Sequence, residues 1–254
     1  MKNDFTVSKY RDFLIYLNTI DFPIYTIKDW IEKKPKNGLI FRHDVDRNPK
    51  NAVVLSKIAS ELGIKGTFNF RVRDGKIEAK EIKFIHELGH EIGYHYEDLS
   101  SVSGKMDLAI DSFSKNLTLL RELAEVKTVT MHGKPLSKFD NREIWKFITL
   151  EEFNLIGEAY LTPNYKDLYY ITDTGRTWGD TTANIRDKVT NSLPLPKNLK
   201  NTDDIKKLIA DNNKISIAIV FHPERWSSNY IQLIYQVLLD FLVSSAKRIL
   251  KKIR

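Results

Sequence analysis

The sequence contains no cysteine. Disulfides, thiolate metal sites and cysteine nucleophiles are thereby excluded, and a cytoplasmic setting is the expectation. No run approaches the ~18 uninterrupted apolar residues that a membrane-spanning helix needs. Met1-Lys2-Asn3-Asp4-Phe5 brings in an acid early with no apolar stretch behind it, so no signal peptide is expected. Internal repeats and low-complexity segments are missing too. What is present is a chain of 254 residues, 42% hydrophobic and 11% aromatic, enough apolar mass to bury the core of one large α/β domain. The formal charge is +7. Its lysines are spread along the chain without an aromatic-basic motif. A solvated lysine-rich surface is therefore expected, not a nucleic-acid interface, while an anionic small-molecule or glycan substrate remains compatible.

Strand-like and helix-like segments alternate along the chain. Leu39-Ile40-Phe41 is a short apolar run, and Asn48-Pro49 offers a capping side chain and a first-turn proline to the helix that follows. Ala52, Val53, Ile58, Ala59 and Leu62 recur at helical spacing until Gly63. Residues 67–72 read as a strand, Ile82, Ile85 and Leu88 as a helix closed by Gly89, and residues 91–95 as a third strand. A long amphipathic helix over 106–126 precedes a strand at 128–132, and Asp140 can cap a helix running through Trp145. Strands at 155–160, 168–172 and 215–221 follow, with a helix opened by Thr202-Asp203-Asp204 and a loop at 191–201. About seven strands separated by helices predict a parallel α/β sheet, either open or barrel-like. One domain over 1–254 is expected, with residues 1–37 peripheral and a last helix over about 230–252 docked on the sheet. That helix carries a polar stripe of Gln232, Gln236, Asp240 and Ser244 and a basic tail, so weak association with a membrane surface is the alternative reading of it.

Charged and imidazole side chains gather where the predicted strands end. Asp44 and Asp46 follow the first strand, His95 the third, His132 the fourth and His222 the last; Glu158 lies in the fifth and Asp173 follows the sixth. In parallel α/β folds the carboxyl ends of strands share the face where ligands bind, so these residues are expected to converge. Alternate residues of an extended chain point the same way, so Asp44 and Asp46 can face one cavity, one binding a metal and the other taking a proton from water. A turn in which both acids cap backbone amides is the alternative. A separate motif, His86-Glu87-Leu88-Gly89-His90, matches the H-E-x-x-H pattern of zinc peptidases. Gly89 reads as a helix stop, however, which would place His90 beyond the helix.

Five stretches resemble the polysaccharide deacetylases, the NodB-homology domain of carbohydrate esterase family 4. They are Phe41-Arg42-His43-Asp44-Val45-Asp46, Gly89-His90-Glu91-Ile92-Gly93-Tyr94-His95, Met131-His132-Gly133-Lys134-Pro135, Asp173-Thr174-Gly175-Arg176-Thr177-Trp178 and Ile219-Val220-Phe221-His222-Pro223. The resemblance implies a distorted (β/α) barrel with about seven mostly parallel strands. It also implies Asp44 as general base, Asp46 and His95 as metal ligands, His222 as general acid and Asp173 as an orienting group. Leu99 stands where the family's second metal histidine is found, and the arginine of the third motif is absent. His132 is the first choice for the third ligand, with Glu97 and Asp98 as alternatives. The activity implied is removal of an acetyl group from an N-acetylated sugar or related amide, with Zn²⁺ as the expected metal. Trp178, Trp226 and Tyr94 are candidates for stacking on a sugar, with core filling as the alternative for the tryptophans, and Arg176 or Arg225 for gripping an anionic group. Glu158 completes the set of substrate-binding candidates. A non-catalytic sugar-binding relic and the zinc peptidase are the competing readings.

Overall fold

Strands of a parallel sheet whose two faces are both covered need no alternation of apolar and polar residues. The strand Gly38–Val45 (β2) is such a case, buried along its whole length. In this computed structural model, which describes residues 4–134, 137–178, 186–228 and 234, β2 is central. Around it stand Ile24–Tyr25 (β1), Thr67–Phe70 (β3), Glu91–Tyr96 (β4), Thr128–Met131 (β5), Gly157–Glu158 (β6), Leu168–Thr172 (β7) and Ser216–Phe221 (β8). Every pairing between them is parallel. The path β6-β5-β4-β3-β2-β8-β7 curls into a half-barrel of seven strands, a distorted (β/α) barrel. Strand β1 adds to the start of β2, with Leu39 opposite Ile24.

The helices are Val7–Thr19 (α1), Ile27–Lys33 (α2), Pro49–Glu61 (α3), Ala79–Glu87 (α4), Asp98–Ser101 (α5), Met106–Arg121 (α6) and Thr202–Asp211 (α7). Two apolar clusters cover the sheet. One gathers α4 and α6 against β3, β4 and β5; the other gathers α1, α3 and α7 against β2, β7 and β8. Residues from 4 to 37 are therefore not peripheral. Phe5, Tyr10, Phe13, Leu14 and Leu17 sit in the second cluster, and β1 joins the sheet. Asn48 differs from expectation as well. It adopts φ +51° and makes no side-chain cap, so α3 begins on the proline alone. The strand expected at 155–160 shortens to two residues, because Tyr160 and Leu161 donate their amides to the Glu158 carboxylate instead of to a neighbouring strand. The helix expected over about 230–252 lies outside the described residues. Among the described residues no helix is long and apolar enough to cross a membrane.

Strands β6 and β7 end the path, and no backbone pairing joins them among the described residues. A carboxylate spans this seam instead. Asp187 Oδ1 accepts from Tyr160 Oη at 3.0 Å and from the hydroxyl of Tyr170, and Oδ2 accepts from Thr172 Oγ1 at 2.7 Å and Thr174 Oγ1 at 2.6 Å. Tyr160 follows β6, whereas Tyr170 and Thr172 belong to β7.

Candidate metal centre and acid-base groups

Strands β2, β4 and β5 deliver their last residues to one point. Asp46 follows β2, His95 lies near the end of β4 and His132 follows β5. His95 Nε2 stands 3.1 Å from Asp46 Oδ1, and His132 Nε2 stands 3.4 Å from the same oxygen. The ligand atoms of all three lie within 4.8 Å of one another. Each ring is held from behind. His95 Nδ1–H donates to the Thr130 carbonyl at 3.0 Å, and His132 Nδ1–H donates to Glu97 Oε2 at 3.1 Å. With Nδ1 carrying the proton, each Nε2 presents its lone pair to the Asp46 side, the usual outer-shell pattern of metal-bound histidine. Asp46 Oδ1 is buried and takes no hydrogen bond, an arrangement a divalent cation would satisfy. Two nitrogens and a carboxylate oxygen suit Zn²⁺ or another divalent transition ion. Burial pushes the His132 imidazole down, but Asp46 and Glu97 outweigh it and raise it. The pocket therefore favours positive charge, whether a proton or a metal.

Asp44 lies one layer deeper. Arg42, on the same face of β2, grips it with both arms: Nε reaches Oδ1 at 2.9 Å and a terminal nitrogen reaches Oδ2 at 2.5 Å. Asn69 Nδ2 donates to Oδ1 at 2.8 Å from the position directly opposite on β3. His95 Nε2 is 3.8 Å from Oδ2. Burial alone would raise the Asp44 carboxyl, but Arg42 and His95 hold it well below the usual carboxylate range. Asp44 is thus ionised throughout the neutral range, at the edge of the metal pocket.

The opposite charge sits on the last strand. His222 follows β8, and its Nδ1–H donates to Asp173 Oδ1 at 2.6 Å. Asp173 is fully buried and also receives the His222 amide, Arg225 and, at 2.8 Å, Trp226 Nε1. Burial and the Arg225 charge lower the imidazole, yet Asp173 and Asp46 raise it further, to about 9. At neutral pH His222 is a cation with its Nε2 proton available.

No family model matches the sequence, and no curated protein matches it. Among solved structures the chain is similar to a mutant CE4 family pseudoenzyme with restored enzymatic activity. That match has 16% identity and a TM-score of 0.44, and covers 72% of this chain and 65% of that one. The chain is also similar to a CE4 esterase from Streptococcus mutans (12% identity, TM-score 0.44, 93% and 91% covered). A peptidoglycan N-acetylglucosamine deacetylase is a third (16%, 0.41, 87% and 92%). The chain spans about two thirds of the pseudoenzyme's length, at 65%.

Several sequence candidates stand elsewhere. Tyr94 is buried against Phe113, and its hydroxyl donates to Asp98. Trp178 and Trp226 are 2% and 0% exposed, inside an aromatic cluster with Phe5 and Phe221. None of these three rings offers a face to a ligand, because the sheet needs them as core. Glu158, also fully buried, accepts amides from Met131, Tyr160 and Leu161. Arg225 is engaged with Asp173, and the Arg176 guanidinium lies over the Phe5 ring. Asp98 is bound to Ser112, Asn116 and Tyr94, away from the metal pocket, whereas Glu97 orients His132 and is itself held by Arg71. The H-E-x-x-H stretch is no metal site. Both ring nitrogens of His90 are occupied, one by the Gly66 amide and the other by the Ser56 carbonyl, while His86 and Glu87 are exposed at the end of α4. His43 is a core residue stacked 4.1 Å from Phe68.

Sequence reasoning missed Arg42, Asn69, Asp187 and Glu224. Arg42 carried a signal, since it lies two residues before Asp44 and so shares its strand face. Asn69 needed the register of β2 on β3. Glu224 is 4% exposed, and neither of its carboxylate oxygens has a partner. Burial, and then the Asp46 charge, push its carboxyl up to about 7. His222 and Arg225 offset this only in part, so a buried acid without a hydrogen-bond partner remains beside Asp46, a further feature that a cation in this pocket would relieve.

Proposed function

We propose that this protein is a metal-dependent amidohydrolase that removes an acetyl group from an N-acetylated sugar or related amide. One observation carries the reading. Two imidazoles with their Nδ1 atoms tied back aim Nε2 at a buried, unpartnered carboxylate oxygen, between an ionised Asp44 and a protonated His222. Asp46, His95 and His132 would hold the ion, and a divalent cation there supplies Lewis acidity toward water and the amide carbonyl. Asp44 accepts the proton of the attacking water on its carboxylate, and Arg42 and Asn69 fix its direction. His222 then gives its Nε2 proton to the leaving nitrogen, so that expulsion of the amine competes with collapse back to the amide. Asp173 keeps that imidazole charged and oriented. The five motifs support the acetyl-amide class of substrate.

The competing reading is a non-catalytic relic of the same fold, and the two-armed Arg42 grip on Asp44 favours it, because a carboxylate so stabilised is a weak base. Asp44→Asn separates the two. The hydrolase is expected to keep its metal and lose about 10²–10⁴-fold in turnover on an N-acetylated amide. Wild-type protein that binds metal but releases no acetate from any N-acetyl sugar, with Asp44→Asn indistinguishable from it, would establish the relic.

A further inference from the structure

A short hairpin stands beside the metal pocket. Arg73 and Lys76 form a bridge in which each amide donates to the other's carbonyl, at 3.1 Å and 2.8 Å. Asp74 and Gly75 turn the chain between them with φ +51° and +69°. Asp-Gly suits this left-handed two-residue turn. Residues directly opposite in such a bridge project on the same face, and like charges placed there repel. Here both are cations. The Arg73 guanidinium leans onto the main-chain carbonyl of Asp46, tying the hairpin to the candidate metal ligand.

The hairpin walls a cavity of about 330 Å³ whose lining includes Asp46, Arg47, Arg73 and Lys76. Arg47 follows Asp46 directly, and among the described residues neither its side chain nor that of Lys76 has a hydrogen-bond or ion-pair partner. Asp74 and Glu78 also border the cavity but form no ion pair with these cations. A phosphoryl group carries close to two charges and three acceptor oxygens, which suits cations arriving from two loops. Guanidinium groups match its geometry in pairs.

We propose that this cavity is a subsite for a phosphoryl group borne by the substrate, so that the amide presented to Asp44 and His222 belongs to a phosphorylated acetamido compound. The proposal rests on the amidohydrolase reading and deepens it. Arg47, Arg73 and Lys76 bind the phosphate, and the metal pocket next to it receives the amide.

The test compares acetate release from N-acetylglucosamine and from N-acetylglucosamine 1-phosphate, in the wild type and in R47E/K76E, with metal content measured in both proteins. The expected result is a wild-type preference for the phosphorylated compound. In R47E/K76E the ratio of the two kcat/KM values should fall by at least about tenfold. Equal use of both compounds by the wild type, or an equal loss on both in the variant, overturns the subsite and leaves the hydrolase standing. If neither compound is hydrolysed, titration with inorganic phosphate decides the subsite independently of the hydrolase reading. Binding weakened in R47E/K76E at unchanged metal content supports it; identical binding overturns it. The phosphorylated acetamido compound has two possible sources, soluble or lipid-linked. Binding to inorganic phosphate assigns the first source, and variant-sensitive binding seen only on phosphatidylglycerol vesicles assigns the second.

Discussion

Asp44 and Asp46 lie two residues apart and meet opposite surroundings. The deeper one faces a guanidinium and an amide donor; the outer one faces two imidazole nitrogens and keeps an oxygen without a hydrogen bond. In the proposed hydrolase this separates the proton acceptor from the metal ligand. The third ligand follows the same logic. His132→Ala is expected to abolish metal binding, whereas Glu97→Gln, which removes the carboxylate behind the ring and its ion pair with Arg71, should weaken it about 10–100-fold; elemental analysis and competitive chelation check both. As the proposed general acid, His222 is expected to set the alkaline side of the pH profile. With its folded pKa at about 9, kcat/KM should hold through neutrality and decline above that pH, and Asp173→Asn should move the decline toward the ordinary 6.5. The same shift is a stability statement. A pKa raised on folding contributes stability that is complete below about 6.5 and is lost as pH rises through about 9. Urea unfolding at both ends of that window, in wild type and Asp173→Asn, measures it.

Strand register is what lets these side chains meet. Asp44, Asn69 and Gly93 form one row across β2, β3 and β4. A Cβ at Gly93 would stand 2.0 Å from Asn69 Oδ1, so the glycine is the space into which the Asn69 side chain extends on its way to Asp44. Gly93→Ala should therefore cost about 1–3 kcal/mol of stability and lower turnover through Asp44, while leaving metal affinity largely intact. Calorimetry and metal titration on that variant separate the two effects. A parallel case is His43, whose stacking on Phe68 follows from their pairing across β2 and β3. Burial moves it down to about 3, so it stays neutral in the core.

The half-barrel leaves β6 and β7 without each other as partners, and Asp187 joins their sides through four hydroxyls. One of these, Tyr160, also accepts from Arg42 at 2.8 Å, so the seam reaches Asp44 through a chain of contacts. Removing the carboxylate leaves four hydroxyls short of an acceptor. Asp187→Ala is expected to lower unfolding free energy by about 2–4 kcal/mol, read from denaturant melts.

The order of strands and helices from β2 to β8 was legible in the sequence because apolar periodicity and glycine stops are local signals. So was the placement of Asp44, Asp46, His95, His132 and His222 at strand ends, since in a parallel sheet position along each strand decides which end of the sheet a residue occupies. Helix α1 carries the same local signal, with Tyr10, Phe13, Leu14 and Leu17 at helical spacing. The roles of Tyr94, Trp178 and Trp226 were decided only by the tertiary structure. An aromatic residue reads alike whether it fills a core or faces a sugar, and burial depends on what the rest of the chain places over it. The same holds for Arg42 on Asp44, Glu97 behind His132 and Asp187 across the seam. Each depends on a distance between residues that are either remote in the chain or turned by the curl of the sheet, and no spacing in the sequence encodes such a distance.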